Sequence, residues 1–383
     1  MKTSSKPRAT NKNSSGNLAL ENAKKAKQDE FYTQLGDISN EVKHYKAQLR
    51  GRAVFCNCDD PFESNFFKYF ALNFNTLGLK KLIATSYKKS PIVGGQLPLL
   101  DIEGLKPEGK EPYAIEINEV PDQNNDGATD ITDVEYLLKH NANTARSLKG
   151  NGEYSAGDFR CRECVKLLSQ ADIVVTNPPF SLFREYVAQL VAHNKQFLII
   201  GNKNAITYKE IFTLIKENKL WIGNMPMGYD MLFRVPDGVA ERMVESGKAG
   251  SNYKLVNGKV YGRSPSIWFT NMDNPKRHEE IPLYKKYSSA EYPKYHNYNA
   301  IEVGKVAEIP ADHFGAMGVP ITFLDKYNPE QFEIIGSSRE RGEPMSKVAE
   351  KGSYAQGGPR FYIPNGDGTY RRMYDRLIIK RRK

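Results

Sequence analysis

Residues 172–180 of this chain are Asp-Ile-Val-Val-Thr-Asn-Pro-Pro-Phe, and this stretch decides the fold. Its apolar, β-branched centre is typical of a strand buried on both faces of a parallel sheet. The two prolines then end the hydrogen-bond ladder and fix a turn. A helix is predicted next, because apolar residues recur at helical spacing at positions 182, 183, 186, 187, 190 and 191. This order places Asn177 and Phe180 at the carboxyl end of a strand, where open α/β sheets bind ligands.

The Asn-Pro-Pro-Phe turn suggests methyl transfer to an exocyclic amine such as N6 of adenine. That nitrogen is a poor nucleophile because its lone pair is delocalised into the ring. The Asn177 side-chain oxygen and the Pro178 carbonyl could accept its two N–H bonds and free the lone pair. Pro179 would keep the turn rigid, and Phe180 would stack on the base, which must be flipped out of a duplex to reach this pocket. The alternative is a structural turn with a capping Asn and two prolines.

Length and composition predict a globular protein rather than a membrane or secreted one. The 383 residues are enough for two domains, and 39% apolar with 26% charged residues is typical of a soluble chain. The sequence contains no apolar run long enough to span a bilayer and no secretory leader pattern. We therefore expect a cytoplasmic protein with no membrane partner.

The charge distribution favours a polyanionic partner. The net charge is +10, and seven basic residues face one acid within residues 1–27, which we predict to be a disordered tail. Another seven basic residues lie within residues 371–383. Such blocks can neutralise phosphates along a duplex and make binding salt-sensitive. The alternative on charge alone is a basic protein with lysine-rich faces.

The four cysteines form the pairs Cys56-x-Cys58 and Cys161-x-x-Cys164. Zinc binding is one interpretation, but Cys-x-Cys is a poor match to ordinary structural zinc sites. Both pairs also fall near predicted strand–helix junctions. We expect reduced cysteines that bind no metal.

The order of elements predicts a doubly wound α/β domain over residues 28–275. Residues 52–61 form a strand and its turn, a helix starts near Ser64, and residues 80–87 form a second strand. Further strands are predicted at 195–202, 220–223 and 266–270. Asn257-Gly258 is a hairpin signal between two strands.

Residues 88–152 interrupt this order and are interpreted as an insertion. Within it, residues 122–133 match a calcium loop, with oxygen side chains at loop positions 1, 3, 5, 9 and 12, Gly at 6 and a backbone carbonyl at 7. The predicted ligands are Asp122, Asn124, Asp126, Ala128, Asp130 and Asp133. Any Ca²⁺ there would be structural, and no catalytic metal is expected. The alternative is an acidic solvated turn.

Residues 276–383 differ in composition, because tyrosine, proline and basic residues dominate. Basic residues interleaved with aromatic ones suit a surface that faces phosphates and bases. We predict a target-recognition region with a basic C-terminal tail. The alternative is a loop-rich subdomain held by tyrosine packing.

Several of these stretches make the chain resemble the EcoRI-type family of adenine-specific DNA methyltransferases. The resemblance runs nearly end to end and covers residues 88–152 and 336–369 least well. The matching blocks are residues 29–34 (DEFYTQ), 55–61 (FCNCDDP), 64–70 (SNFFKYF), 172–183, 292–295 (YPKY) and 318–324 (GVPITFL).

The resemblance implies a Rossmann-like class I methyltransferase sheet with S-adenosylmethionine as the methyl donor. In this family a motif matching Phe31, Tyr32 and Thr33 closes over the methionine end of the donor. Asp158 would accept from the adenine amine of the donor, and Phe159 would stack near that ring.

The turn after the first strand, with Asn57, Asp59 and Asp60, matches the donor-binding motif of the family. It lacks the usual Gly-x-Gly of class I methyltransferases. The second strand ends in Thr85-Ser86, where an acid usually grips the ribose hydroxyls. Asp59 or Asp60 is the candidate for that role.

Together these points predict a site-specific enzyme that flips one adenine out of double-stranded DNA and methylates N6 directly. The resemblance also implies a companion restriction endonuclease and a GAATTC-like site, and we expect a monomer. Two alternatives stay open: a methyltransferase for an RNA base or a protein glutamine, and a catalytically silent DNA-binding homologue.

Overall fold

The computed structural model describes residues 32–58, 64–87, 112–123, 129–140, 146–229, 231–235, 237–245 and 253–382. The strands are β1 Tyr32–Thr33, β2 Ala53–Cys56, β3 Lys81–Thr85, β4 Tyr113–Ile117, β5 Arg146–Ser147, β6 Ile173–Thr176, β7 Gln196–Asn202, β8 Trp221–Ile222, β9 Met231–Arg234, β10 Tyr253–Val256, β11 Lys259–Ser264, β12 Ser266–Thr270, β13 Ile301–Glu302, β14 Met317–Pro320, β15 Phe332–Ser337, β16 Tyr362–Pro364, β17 Tyr370–Arg372 and β18 Arg376–Arg381.

The α-helices, numbered in chain order, alternate with these strands in the first two thirds of the chain. They are α1 Leu35–Val42, α2 Lys46–Leu49, α3 Asn65–Leu72, α4 Phe74–Leu77, α5 Ile131–His140, α6 Arg162–Gln170, α7 Phe183–Ala192, α8 Lys209–Lys216, α9 Asp237–Glu245 and α10 Ser338–Arg341. None of the helices in the described ranges has the length and apolar character that crossing a bilayer requires.

The largest sheet has the strand order β5-β4-β3-β2-β6-β7-β12-β8. Its four central strands, β3, β2, β6 and β7, are parallel. On one side β12 runs antiparallel to β7 and also pairs with β8, and on the other β4 runs antiparallel to β3. The predicted mixed α/β class is therefore confirmed. The predicted strand of residues 173–175 is β6, and the helix after it begins at Phe183, following a 3₁₀ turn.

The segment of residues 88–152, predicted as an insertion, contains elements of the main sheet. Within it, β4 and β5 extend the main sheet, and Val134 and Leu137 of α5 are buried in its core. The many Pro, Gly, Asn and Asp residues around these elements concealed them, because such residues usually mark loops. Residues 88–111 lie outside the described ranges.

Two apolar cores cover the two faces of the main sheet. Side chains alternate along a strand, so Phe55 and Val174 face one core while Val54 and Val175 face the other. Helices α6, α7 and α8 contribute to the first core, and α1, α3 and α5 contribute to the second. Because both faces are covered, the central strands can be continuously apolar, as β6 is.

Smaller sheets flank this body. Strands β1-β9-β11-β10 form an antiparallel sheet, in which Asn257 and Gly258 have φ of 50° and 74°, so the predicted hairpin is confirmed. In the last third of the chain, β13-β14-β18-β15 form a four-stranded sheet and β16-β17 a hairpin. Apolar residues of the four-stranded sheet join the first core. Composition alone did not reveal these strands, because tyrosine, proline and basic residues mask their alternation.

Candidate active site

The site is built where two neighbouring parallel strands end. Asn57 follows β2 and Asn177 follows β6, and the two side chains are only 1% and 5% exposed. The hydroxyl of Thr176 donates to the backbone carbonyl of Asn57, which joins the two turns. Pro178 is buried, while Pro179 and Phe180 are half-buried at the rim. The structure therefore brings the predicted base-binding turn and the first donor-binding turn to one edge of the sheet.

A glycine sets the position of the second donor-binding turn. Gly157 has φ of +77°, and a Cβ built there would lie 2.1 Å from the backbone oxygen of Ser86, directly after β3. Only glycine allows this backbone-to-backbone approach without strain. Asp158 and Phe159 follow at once, both buried, and so lie beside the carboxyl end of β3.

The same turn is tied to the helix that follows Asn177. The Arg160 guanidinium donates to both Asp158 carboxylate oxygens, at 3.0 and 2.9 Å, and to Glu185 of α7 at 2.7 Å. The hydrogen bond to Asp158 raises the pKa of Arg160. Phe159 packs edge-on against Tyr186, with ring centroids 4.9 Å apart. These contacts hold the turns predicted to bind the donor and the base in fixed positions relative to each other.

The Asp158 carboxylate is held by Arg160. A carboxylate offers about four acceptor positions. The Arg160 side chain takes two of them, and the Arg160 backbone N–H takes a third at 3.0 Å. Arg160 therefore orients the Asp158 carboxylate through both its side chain and its backbone N–H.

Two buried hydroxyls at this edge point to a polar ligand. Thr33 of β1 and Thr85 of β3 are 3% and 0% exposed, and neither hydroxyl has a hydrogen-bond partner in the described ranges. Burying a hydroxyl without a partner is unfavourable. The Thr33 carbonyl accepts from Asn65 at 2.6 Å, so β1 is held next to the turn after β2. A donor rich in hydroxyl and amine groups fits such a site.

Three predicted donor residues, Phe31, Asp59 and Asp60, lie outside the described ranges. For Tyr32, the structure describes only the backbone, which forms part of β1. The roles assigned to these four residues remain predictions.

Buried acids on α1 are functional candidates that the sequence interpretation missed. Glu41 is 0% exposed and accepts from the backbone N–H groups of Asn224 and Met225, at 2.6 and 2.7 Å, and from Tyr45. Burial raises the pKa of Glu41. One turn earlier, Asp37 accepts from the Tyr229 hydroxyl at 3.1 Å. The available sequence signal was the pair of acids four residues apart in the apolar stripe of a helix. In the structure, these acids hold residues 224–229 in place.

The calcium prediction is not supported. The Asp133 carboxylate accepts from the backbone N–H groups of Gln123 and Asp130, and Asp130 in turn accepts from that of Thr132. These carboxylates thus cap the start of α5, which is a sufficient reason for acids at these positions. Asn124, Asp126 and Ala128 lie outside the described ranges, and the residues within them contain no cluster of three or more His, Cys, Asp or Glu suited to a metal.

The cysteines are free thiols and all four are buried. Cys56 lies in β2 and joins one core, while the other three join the opposite core. Cys161 occupies the N-cap position of α6, and a hydrogen bond from Cys164, followed by nearby backbone N–H groups, lowers the pKa of Cys161 to about 6.

The sequence is similar to known adenine-specific methyltransferases. Residues 19–382 match the family described as adenine-specific methyltransferase EcoRI. The chain is 44% identical over 331 residues to the type II methyltransferase M.EcoRI of Escherichia coli, covering 83% of this chain and 89% of that protein. It is 39% identical over 369 residues to M.MpnI of Mycoplasma pneumoniae, covering 94% and 97% of the two chains.

A third relative, the type II methyltransferase M.MgeORF184P of Mycoplasma genitalium, is 38% identical over 316 residues, which is 82% of this chain and 84% of that protein. No solved structure matches the chain significantly. Since the family match spans nearly every described element and includes both strand-end turns of the site, the chain belongs to the EcoRI-type family of adenine-specific methyltransferases.

Proposed function

We propose that this adenine-specific DNA methyltransferase flips its target adenine out of duplex DNA and methylates it directly on N6. The observation that carries the proposal is the burial of Asn177 at the same sheet edge as Asn57, Asp158 and the two unpartnered threonine hydroxyls. When bound, S-adenosylmethionine would supply an electrophilic methyl group on sulfur. The N6–C bond then forms as the S–C bond breaks, and the amine proton passes to water.

On the base side, we assign the two N6 hydrogens to the Asn177 side-chain oxygen and the Pro178 carbonyl. Both acceptors follow β6 directly, and Pro179 restricts the backbone between them and Phe180. Phe180 is half-buried at the rim and would stack on the flipped base. Aligned reactants alone lower a barrier by about 7–11 kcal/mol, so positioning is sufficient and no catalytic metal is proposed.

On the donor side, we assign the adenine amine to Asp158 and the ring contact to Phe159. Thr33, with Phe31 and Tyr32 before it, would close over the methionine end. Asn57, Asp59 and Asp60 would line the turn after β2. The buried hydroxyl of Thr85 lies at the strand end where this family's fold usually has an acid, so it is a second candidate for the ribose.

We further propose that catalysis and target recognition belong to two different regions of the chain. Residues 28–275 carry a Rossmann-like catalytic sheet, which the four parallel central strands support. Residues 276–383 recognise the target, which their basic composition and separate sheet support. We expect a cytoplasmic monomer with a companion restriction endonuclease that cuts the same site.

The Asn177→Ala variant tests the proposal, with Asn40→Ala on the exposed face of α1 as a matched control. PCR-amplified genomic DNA is incubated with tritium-labelled donor, and the modified positions are mapped by sequencing for N6-methyladenine. We expect Asn177→Ala to lose at least about 100-fold in transfer rate, as when an enzyme loses one transition-state hydrogen bond. Donor affinity, measured by calorimetry, should stay within about twofold, because Asn177 contacts the base.

Full activity of Asn177→Ala would refute the assignment of Asn177. Label on structured RNA or on protein glutamine in place of DNA would favour the alternative methyltransferase class. Absence of label on every substrate with the wild-type protein would favour a silent DNA-binding homologue.

A further inference from the structure

One end of the C-terminal sheet lies beside the catalytic edge. Strand β18 begins at Arg376, and Asp375, Arg376 and Arg339 line a crevice together with Ile206 and Thr207. These last two residues belong to the 3₁₀ segment directly after β7. Because β7 is the parallel neighbour of β6, the crevice opens at the edge of the sheet that carries Asn177.

Two arginines pair with one carboxylate at this end, and a third arginine acts electrostatically on one of them. Asp375 accepts two hydrogen bonds from Arg339, at 3.0 and 2.9 Å, and contacts both terminal nitrogens of Arg360, at 3.1 and 3.2 Å. Arg372 donates to the Gly358 carbonyl at 3.2 Å and forms no ion pair within the described ranges. Burial, followed by the positive charges of Arg339 and Arg372, lowers the pKa of Arg360. The cluster therefore keeps an excess of positive charge that an anion would neutralise.

A tyrosine next to this cluster is almost completely exposed. Tyr374 is 85% exposed and directly precedes Asp375. A ring in that position gains little from folding, whereas aromatic rings are enriched at interfaces and stack well on bases.

The molecule also contains a natural control for Tyr374. Tyr284 is 84% exposed and also stands beside basic residues, but it lies at the opposite end of β18. Its neighbour Lys285 accepts from the Ala311 backbone N–H, and the Ala311 carbonyl accepts from Arg381, the last residue of β18. The six residues of β18, at about 3.3 Å per residue, separate the two ends by roughly 17 Å.

We infer that Tyr374 and the arginines at positions 339, 360 and 372 form a duplex-DNA contact surface next to the flipped adenine. The guanidinium groups bind phosphates, while the Tyr374 ring packs on a base that neighbours the vacated position. Asp375 orients Arg339 and Arg360 and does not touch DNA itself. This inference rests on the proposed base-flipping function and adds to it the residues that hold the duplex.

The test compares Tyr374→Ala, Arg372→Gln and the control Tyr284→Ala with wild type. The probe is a fluorescein-labelled 30-base-pair duplex containing a methylation site mapped with the wild-type enzyme. Anisotropy gives the dissociation constant as a function of salt, and a duplex with 2-aminopurine at the target position reports flipping. Circular dichroism melting confirms that each variant is folded; the two exposed tyrosine positions should change stability little.

Tyr374→Ala should weaken binding about tenfold and reduce the 2-aminopurine signal, because one base contact is lost. Arg372→Gln should lower the slope of log affinity against log salt by about 0.9, the value for one phosphate contact. Tyr284→Ala should match wild type in both measurements.

Wild-type affinity and slope in both the Tyr374 and Arg372 variants would overturn the inference, as would an equal loss in Tyr284→Ala. Loss in only one of the two variants would overturn the role of the other residue. If wild type methylates the duplex, the proposed function stands whatever these variants show, so the two failures are distinguishable.

Discussion

Two sets of buried polar groups in the molecule differ in their hydrogen-bond partners. In the C-terminal sheet, the Glu302 carboxylate accepts from the Arg376 guanidinium at 2.8–3.0 Å and from the Tyr295 hydroxyl. At the carboxyl edge of the main sheet, the hydroxyls of Thr33 and Thr85 are equally buried but have no partner in the described ranges.

We interpret the Glu302–Arg376 pair as a stabilising element and the two threonine hydroxyls as candidates for ligand binding. A buried charge that is paired has its hydrogen bonds satisfied within the folded chain. A buried hydroxyl without a partner is satisfied only when another molecule supplies a hydrogen bond. We expect substitution of Glu302 to change the free energy of unfolding, and substitution of Thr33 or Thr85 to change donor affinity. Three predictions test this contrast.

The largest effect is expected where a buried pair is broken. Glu302→Ala should lower the free energy of unfolding by about 3–5 kcal/mol, because Arg376 would be left as an uncompensated buried charge. Urea unfolding followed by circular dichroism measures this loss. The control is Glu308→Ala, which removes an exposed ion pair with Lys305 and should cost less than about 1 kcal/mol. Equal effects in the two variants would show that the Glu302 pair is not the stabilising element.

A smaller effect is expected at Gly157, which links stability to the site. Gly157→Ala places a residue at positive φ, which costs about 1–2 kcal/mol, and adds a collision with the Ser86 carbonyl that costs about 1–3 kcal/mol more. Because Asp158 and Phe159 must shift, donor affinity should also fall.

Gly152→Ala is the matched control for Gly157. Gly152 also has positive φ, but a Cβ there would meet no atom within 4 Å. It should therefore show only the backbone cost and normal donor affinity. Equal loss of donor affinity in both variants, measured by calorimetry, would contradict a role for the close approach.

The smallest change in stability, and the sharpest test of the contrast, is Thr33→Val. Removing a buried hydroxyl that has no partner should leave the free energy of unfolding unchanged or raise it by up to about 1 kcal/mol. The same change should weaken donor binding by about 2- to 13-fold, the worth of one hydrogen bond. Thr176→Val is the control, because its hydroxyl donates to Asn57 within the protein and its loss should destabilise the fold. A destabilised Thr33→Val with unchanged donor affinity would reverse the interpretation.

Local signals in the sequence were sufficient for the parts of the fold that local chemistry governs. Strand β6 follows from its β-branched residues and the prolines after it, and Ser64 caps α3 by accepting from the Phe66 N–H at 3.1 Å. The Asn257-Gly258 hairpin follows from two residues that tolerate positive φ. Each of these elements is determined by neighbours within a few positions.

Long-range contacts explain what was missed. Strands β4 and β5 were assigned to an insertion because only pairing with β3 makes them part of the sheet. The four-residue spacing of Asp37 and Glu41 did not reveal what Glu41 binds, since its partners Asn224 and Met225 lie more than 180 residues away. The calcium prediction is not supported, because the oxygen spacing of a metal loop also suits the helix capping by Asp130 and Asp133.

The sequence by itself determined the family, the α/β class and the Asn177–Phe180 turn, because these depend on residue types and short spacings. Only the tertiary structure decided which distant groups meet at the sheet edge, which hydroxyls stay without a partner, and which of two equally exposed tyrosines lies next to the site. Those properties depend on strand order and on how the two regions pack together, and no local pattern in the chain encodes them separately.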